Sequence, residues 1–216
     1  MDLEVDKQDG SRRRKNTWTK VRDHFPKEIN EAEPIIRFIV DFVHEWDDNG
    51  VPITIIDLCS GFGISSMALA EILPPERVGR IWMVDKLWPH DPTNPSEGNL
   101  STKHLSGRSY PIPLKYRKTD IKAGRELRQI HKYVLEAAPG PVILMGIHLC
   151  KSLAVRAIQL CQSSQKIVAF CLKPCCLPGR KMAFKPKIPI VWEFKNGYSF
   201  GPRDLYREEQ QCEEKD

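Results

Sequence analysis

The chain has 216 residues, 33 Lys and Arg against 28 Asp and Glu, a formal net charge of +5 and 41% hydrophobic residues. That length suits one domain with a sizeable core, and the mild basic excess is compatible with an RNA partner while fitting an ordinary solvated surface equally well. No apolar run reaches the roughly 18 residues of a helical membrane span, so no membrane anchor is expected. The first twenty residues are polar and hold no apolar signal segment, so an intracellular protein, cytoplasmic or nuclear, with reduced thiols at its seven cysteines is expected.

Residues 1–20 are charged and aperiodic and read as a flexible basic arm. Their run Arg12-Arg13-Arg14-Lys15 suits a nuclear-import signal or a phosphate contact, or simply a solvated tail. Residues 28–46 carry helical periodicity, with Pro34 fitting a first turn and Ile35, Ile39, Phe42, Val43 and Trp46 on one face. Residues 53–57 read as a buried strand that ends in Asp57 and runs through Leu58 into a small-residue turn, Cys59-Ser60-Gly61-Phe62-Gly63. A helix over 64–73 follows, closed by Pro74-Pro75.

Gly61 and Gly63 permit a backbone path that residues with a Cβ resist, and a helix N-terminus beyond them offers unpaired N–H groups. Residues 80–84 predict a second strand with Asp85 at its carboxyl end, twenty-two residues after Gly63. An acid in that place suits the two hydroxyls of a ribose. Together these features read as a half-site for a nucleoside cofactor.

Residues 87–113 hold five prolines and little periodicity, which predicts a long loop beside that site. Residues 116–121 predict a third strand ending at Asp120, followed by a helix over 124–138. Residues 142–147 are apolar throughout, as in a strand covered on both faces. A helix over 153–161 and a fifth strand over 166–172 complete the alternation, and residues 188–198 predict a strand and turn of a C-terminal hairpin. The fold expected is α/β: a Rossmann-like, doubly wound, mostly parallel sheet. It would occupy residues 21–200, with a charged tail over 201–216.

Asp57-Leu58-Cys59-Ser60-Gly61-Phe62-Gly63, followed by Asp85 and Asp120, resembles the cofactor motifs of class I S-adenosylmethionine-dependent methyltransferases. Ile147-His148-Leu149-Cys150-Lys151 resembles the K-H-L-C-G segment of one branch, and Cys171-Leu172-Lys173-Pro174-Cys175-Cys176 resembles its A-x-C-C-H-H segment. That branch contains the eukaryotic tRNA acceptor-stem 2′-O-methyltransferases. The resemblance covers residues 50–178. The chain departs from it at Cys59, Lys151, Val155, Arg156, Leu177 and Pro178, and it lacks the zinc modules those tRNA enzymes carry.

The resemblance implies S-adenosylmethionine as cofactor and RNA as substrate, methylated on a 2′-oxygen or a base. Asp57, Cys59, Ser60, Gly61 and Gly63 would surround the methionine moiety. Asp85, with Lys86 beside it, would take the ribose, and Asp120 with Ile121 the adenine. His148 would lie near the reactive methyl and act as base, with Lys173 and Cys175 as further catalytic candidates. No metal is expected.

Two sharper ideas attach to the paired cysteines. One is a Cys175 thiolate adding to a pyrimidine ring; the other is a zinc site from His148, Cys150, Cys175 and Cys176. Buried thiols lining a pocket are the plain alternative. The rival functions are a methyltransferase of protein or small molecules, a cofactor-binding scaffold without catalysis, and a dinucleotide dehydrogenase. The last would need glycine where Ser66 stands. A second basic cluster, Arg180, Lys181, Lys185 and Lys187 around Phe184, suits a phosphate backbone or a solvated linker.

Overall fold

The computed structural model describes residues 17–46, 50–91, 100, 102–106, 108–174, 192–193, 197 and 199–200. Five parallel strands form the sheet: β1 (Ile53–Leu58), β2 (Val78–Asp85), β3 (Leu114–Lys118), β4 (Val142–Ile147) and β5 (Ile167–Lys173), in the order β3-β2-β1-β4-β5. The helices are α1 (Thr17–Glu45), α2 (Ile64–Ile72), a short α3 (Lys103–Ser106), α4 (Gly124–Ile130) running into a π-helical turn (His131–Leu135), and α5 (Ser152–Gln162). The expected α/β, Rossmann-like architecture is present.

Period-two alternation assigns each strand residue to a face. Ile53, Ile55, Ile81, Ile143 and Met145 pack under α1 and α2 with Ile35, Ile39, Val43 and Leu69. Ile56, Leu58, Val84, Val142 and Leu144 pack against α4, the π turn and α5 with Ile130, Val134, Ala157 and Leu160. All six residues of β1 are buried, as its central place requires. Asp57, two residues on from Ile55, therefore faces the α1/α2 layer.

Three boundaries differ from the sequence expectation. Helix α1 begins at Thr17, so residues 17–20 belong to it and not to an arm, and it runs through both Pro26 and Pro34. Each proline removes one backbone donor, a cost that the buried row Ala32, Ile35, Ile39 and Val43 offsets. Strand β3 stops at Lys118, so Asp120 stands in the loop beyond it. The predicted helix over 124–138 becomes α plus π, ending at Leu135.

Two further strands, β6 (Trp192–Glu193) and β7 (Ser199–Phe200), pair antiparallel in a separate two-stranded sheet. The predicted hairpin is thus partly described; its residues 188–191, 194–196 and 198 lie outside the described residues. So do residues 1–16, the tail over 201–216 and the basic cluster at 180–187. Within the predicted loop over 87–113, Trp88, Leu100 and His104 are buried, and Trp88 stacks between His104 and Tyr116.

Candidate functional site

The strand order changes direction between β1 and β4: the chain first builds outward through β2 and β3, then returns to the other side of β1. Parallel α/β sheets open a crevice at the carboxyl ends of the strands at such a point. A cavity of about 220 Å³ lies there, lined by Glu28, Asp57, Cys59, Ser60, Gly61, Ser65, Ile147 and His148.

The turn after β1 is shaped by three left-handed residues, Cys59 (φ 58°), Gly61 (φ 54°) and Gly63 (φ 74°). Gly63 has a second constraint, because a Cβ built there would overlap Met83 Sδ. The Gly63 N–H donates to the Ser60 carbonyl at 2.8 Å, and Gly63 passes directly into α2.

Asp57 is 3% exposed, and its Oδ2 accepts the Ser66 hydroxyl at 2.7 Å. Burial pushes its pKa from 3.8 up to about 7, against the pull of the Ser66 bond. The Ser66 side chain is therefore used in orienting Asp57. Burial also pushes the Cys59 thiol up to about 12, which leaves it a poor nucleophile.

Asp85 ends β2 and ties the turn together. Its Oδ2 accepts the Gly61 N–H at 3.1 Å, and its Oδ1 accepts the Leu87 N–H at 2.8 Å. Each carboxylate oxygen keeps a further lone pair, so holding the turn leaves room for ligand hydroxyls. Burial raises the Asp85 pKa and the two backbone bonds lower it. The Ser60 hydroxyl accepts from Trp88 Nε1 at 3.2 Å, which fixes the aromatic loop against the turn.

Lys86, next to Asp85, lines a second cavity of about 310 Å³ with His90, Lys118, Asp120, Arg125, Glu126 and Gln129. Asp85 thus connects directly to a lining residue of each cavity. Asp120 Oδ1 accepts the Lys122 N–H at 3.0 Å, and the Asp120 N–H donates to Glu126 Oε2 at 2.5 Å. The acid shapes the loop ahead of α4 while lining the cavity. Ile121 is buried in the α4/α5 layer.

His148 follows β4 with φ 60°. Its N–H donates to the Lys173 carbonyl at 2.8 Å, and its Nε2 lies 2.7 Å from Glu31 Oε2. Lys173 Nζ donates to the Glu31 carbonyl at 2.5 Å and is not among the residues lining either described cavity. Cys175 and Cys176 lie outside the described residues. Cys150 is disulfide-bonded, so the expectation of reduced thiols does not hold there, while Cys59, Cys161 and Cys171 are free. Among the described residues no group of three or more His, Cys, Asp or Glu side chains is arranged to hold a metal ion, and no helix is long and apolar enough to cross a membrane.

The structure brings together Asp57, Cys59, Ser60, Gly61 and His148 at one cavity and Lys86 and Asp120 at the other. Sequence reasoning missed Glu28 and Glu31. A signal for Glu28 existed: positions 28, 32, 35, 39 and 43 continue one helical stripe, so a carboxylate sits in phase with the buried row. Compared with known protein families, curated proteins and solved structures, the chain matches none.

Proposed function

We propose that the protein is an S-adenosylmethionine-dependent methyltransferase that acts on RNA. The observation that carries this reading is the pair of strand-end carboxylates, Asp57 and Asp85, set around the left-handed turn at the switch point of the sheet. Acid at the end of β1 suits a cationic amino group, and acid at the end of β2 suits ribose hydroxyls. The cavities beside Gly61 and Lys86 then suit the methionine and adenine ends. The motif resemblance supports RNA as the acceptor, and the +5 charge is compatible with it.

The cofactor would supply an electrophilic methyl on a positively charged sulfur. The protein's part is orientation and proton removal. His148 lies on the wall of the first cavity, where a ribose hydroxyl could lose its proton to the imidazole nitrogen that does not face Glu31. Glu31 would hold that ring in place and stabilise the imidazolium.

A second reading, cofactor binding without transfer, draws on two observations. Lys151 adopts φ 56° where the resembling branch has glycine, and Lys173 is committed to the Glu31 carbonyl. One set of experiments separates the readings. Calorimetry with S-adenosylmethionine and S-adenosylhomocysteine should give binding to the wild type that Asp85→Ala loses while remaining folded. Tritiated S-adenosylmethionine should then label RNA. Binding without label in RNA, protein or small molecules would favour the scaffold, and no binding to folded protein would sink both.

A further inference from the structure

Two carboxylates face the first cavity from different elements. Asp57 reaches it from the sheet, and its Oδ1 accepts no hydrogen bond among the described residues. Glu28 reaches it from α1 and makes no ion pair and no side-chain hydrogen bond among the described residues. The basic residue on the cavity wall, His148, is already paired with Glu31, one helical turn along α1.

Glu28 is held in this position by its own helix. Lys173 grips the Glu31 carbonyl, His148 grips the Glu31 carboxylate, and His24 stacks on Phe62 of the turn, with ring centroids 6.5 Å apart. The stretch of α1 from His24 to Glu31 is thereby fixed over the carboxyl edge of the sheet, with Glu28 between these anchors. Burial raises the Glu28 pKa, and the nearby His24 and His148 lower it. Two acids turned toward one cavity, neither in a direct ion pair among the described residues, suit positive charge on a ligand.

We propose that Glu28 is a cofactor-binding residue that neutralises the sulfonium of S-adenosylmethionine, while Asp57 takes the amino group. This inference rests on the cofactor reading above. Glu28 fits the sulfonium rather than the amino group because it shares one cavity wall with Asp57 and His148, which that reading assigns to the amino end and the methyl. Loss of the methyl turns the sulfonium into a neutral thioether. Glu28 would then favour the charged cofactor and help expel the spent one.

Calorimetric titration of both ligands into wild type, Glu28→Gln and Glu33→Gln tests it, with thermal melting to verify folding. Glu33 is an exposed acid on the same helix and serves as the control for charge alone. Glu28→Gln should weaken S-adenosylmethionine about tenfold and S-adenosylhomocysteine less than about twofold, with Glu33→Gln like wild type. Equal weakening of both ligands would place Glu28 elsewhere on the ligand and overturn the proposal, as would no weakening of either; the cofactor reading would survive both results. If neither ligand binds the wild type, the cofactor reading itself fails and this inference falls with it.

Discussion

His148 Nε2 lies 2.7 Å from Glu31 Oε2, so a residue just past the fourth strand is paired with one in the first helix. The sequence separates the two by 117 positions, and their meeting closes α1 over the switch point. Because both side chains are more than a third or close to a third exposed, at 43% and 33%, the pair is a positioning contact and a small contributor to stability. A double-mutant cycle with Glu31→Ala and His148→Ala should give a coupling below about 1 kcal/mol in urea unfolding, falling further at high salt. A coupling of several kcal/mol would mean that the contact is far better shielded than the structure indicates.

Asp57 makes stability depend on pH in a direction opposite to that of an ion-paired acid. Its folded pKa of about 7 exceeds 3.8, so between those values the folded state holds a proton that the unfolded state has released. Stability should therefore fall as pH rises through that window and level off above about 7. Asp57→Asn should remove most of this slope and be more stable than wild type at pH 8 by ~2–4 kcal/mol. Melting curves at pH 4.5 and 8 decide it; a wild type that becomes more stable over that range, with Asp57→Asn unchanged, would contradict the buried neutral acid.

A cationic ligand would reverse the protonation of Asp57. Binding near pH 6 should release a proton from it, visible as a buffer-dependent calorimetric enthalpy. The effect should vanish in Asp57→Asn, along with most of the affinity. Equal enthalpies in buffers of different ionisation heat would argue against contact between the ligand's cation and Asp57.

Gly61 and Gly63 share left-handed backbone but not surroundings. An alanine at 61 meets nothing within 4 Å, whereas one at 63 meets the Met83 side chain. Gly61→Ala should cost about 1 kcal/mol from backbone strain, and Gly63→Ala about 2–4 kcal/mol once the clash is added. Denaturant midpoints of the two variants measure the difference, and equal costs would show that Met83 moves aside freely.

Arg77, in the turn before β2, caps the C-terminal end of α1. Its Nη1 donates to the carbonyls of Val43 at 2.6 Å and His44 at 2.8 Å, with Trp46 at 3.2 Å. Removing a cation from those unpaired carbonyls should destabilise the protein by ~1–3 kcal/mol in Arg77→Ala. Arg77→Lys should recover part of it, since the ammonium keeps the charge and its donors but sits on a shorter side chain. An unchanged midpoint in the alanine variant would show that water replaces the guanidinium without loss.

By itself the sequence determined the strands β1, β4 and β5, helices α2 and α5, and the acidic ends at Asp57 and Asp85. Those features are local: apolar runs, small-residue turns and helical periodicity are written within ten residues of one another. The tertiary structure alone decided what those acids do before any ligand arrives. Asp85 pins Gly61, Asp57 is held by Ser66, and Asp120 shapes its own loop because β3 ends sooner than its sequence suggests. The N-terminal start of α1 was hidden because two prolines oppose it locally, and the buried row that offsets them, Ala32 to Val43, lies further along the helix. Glu28 and Glu31 lie within the helix that the sequence predicts; what carries them to the candidate site is the docking of that helix, through contacts of Glu31 with His148 and Lys173, more than a hundred positions away, that no short pattern can encode.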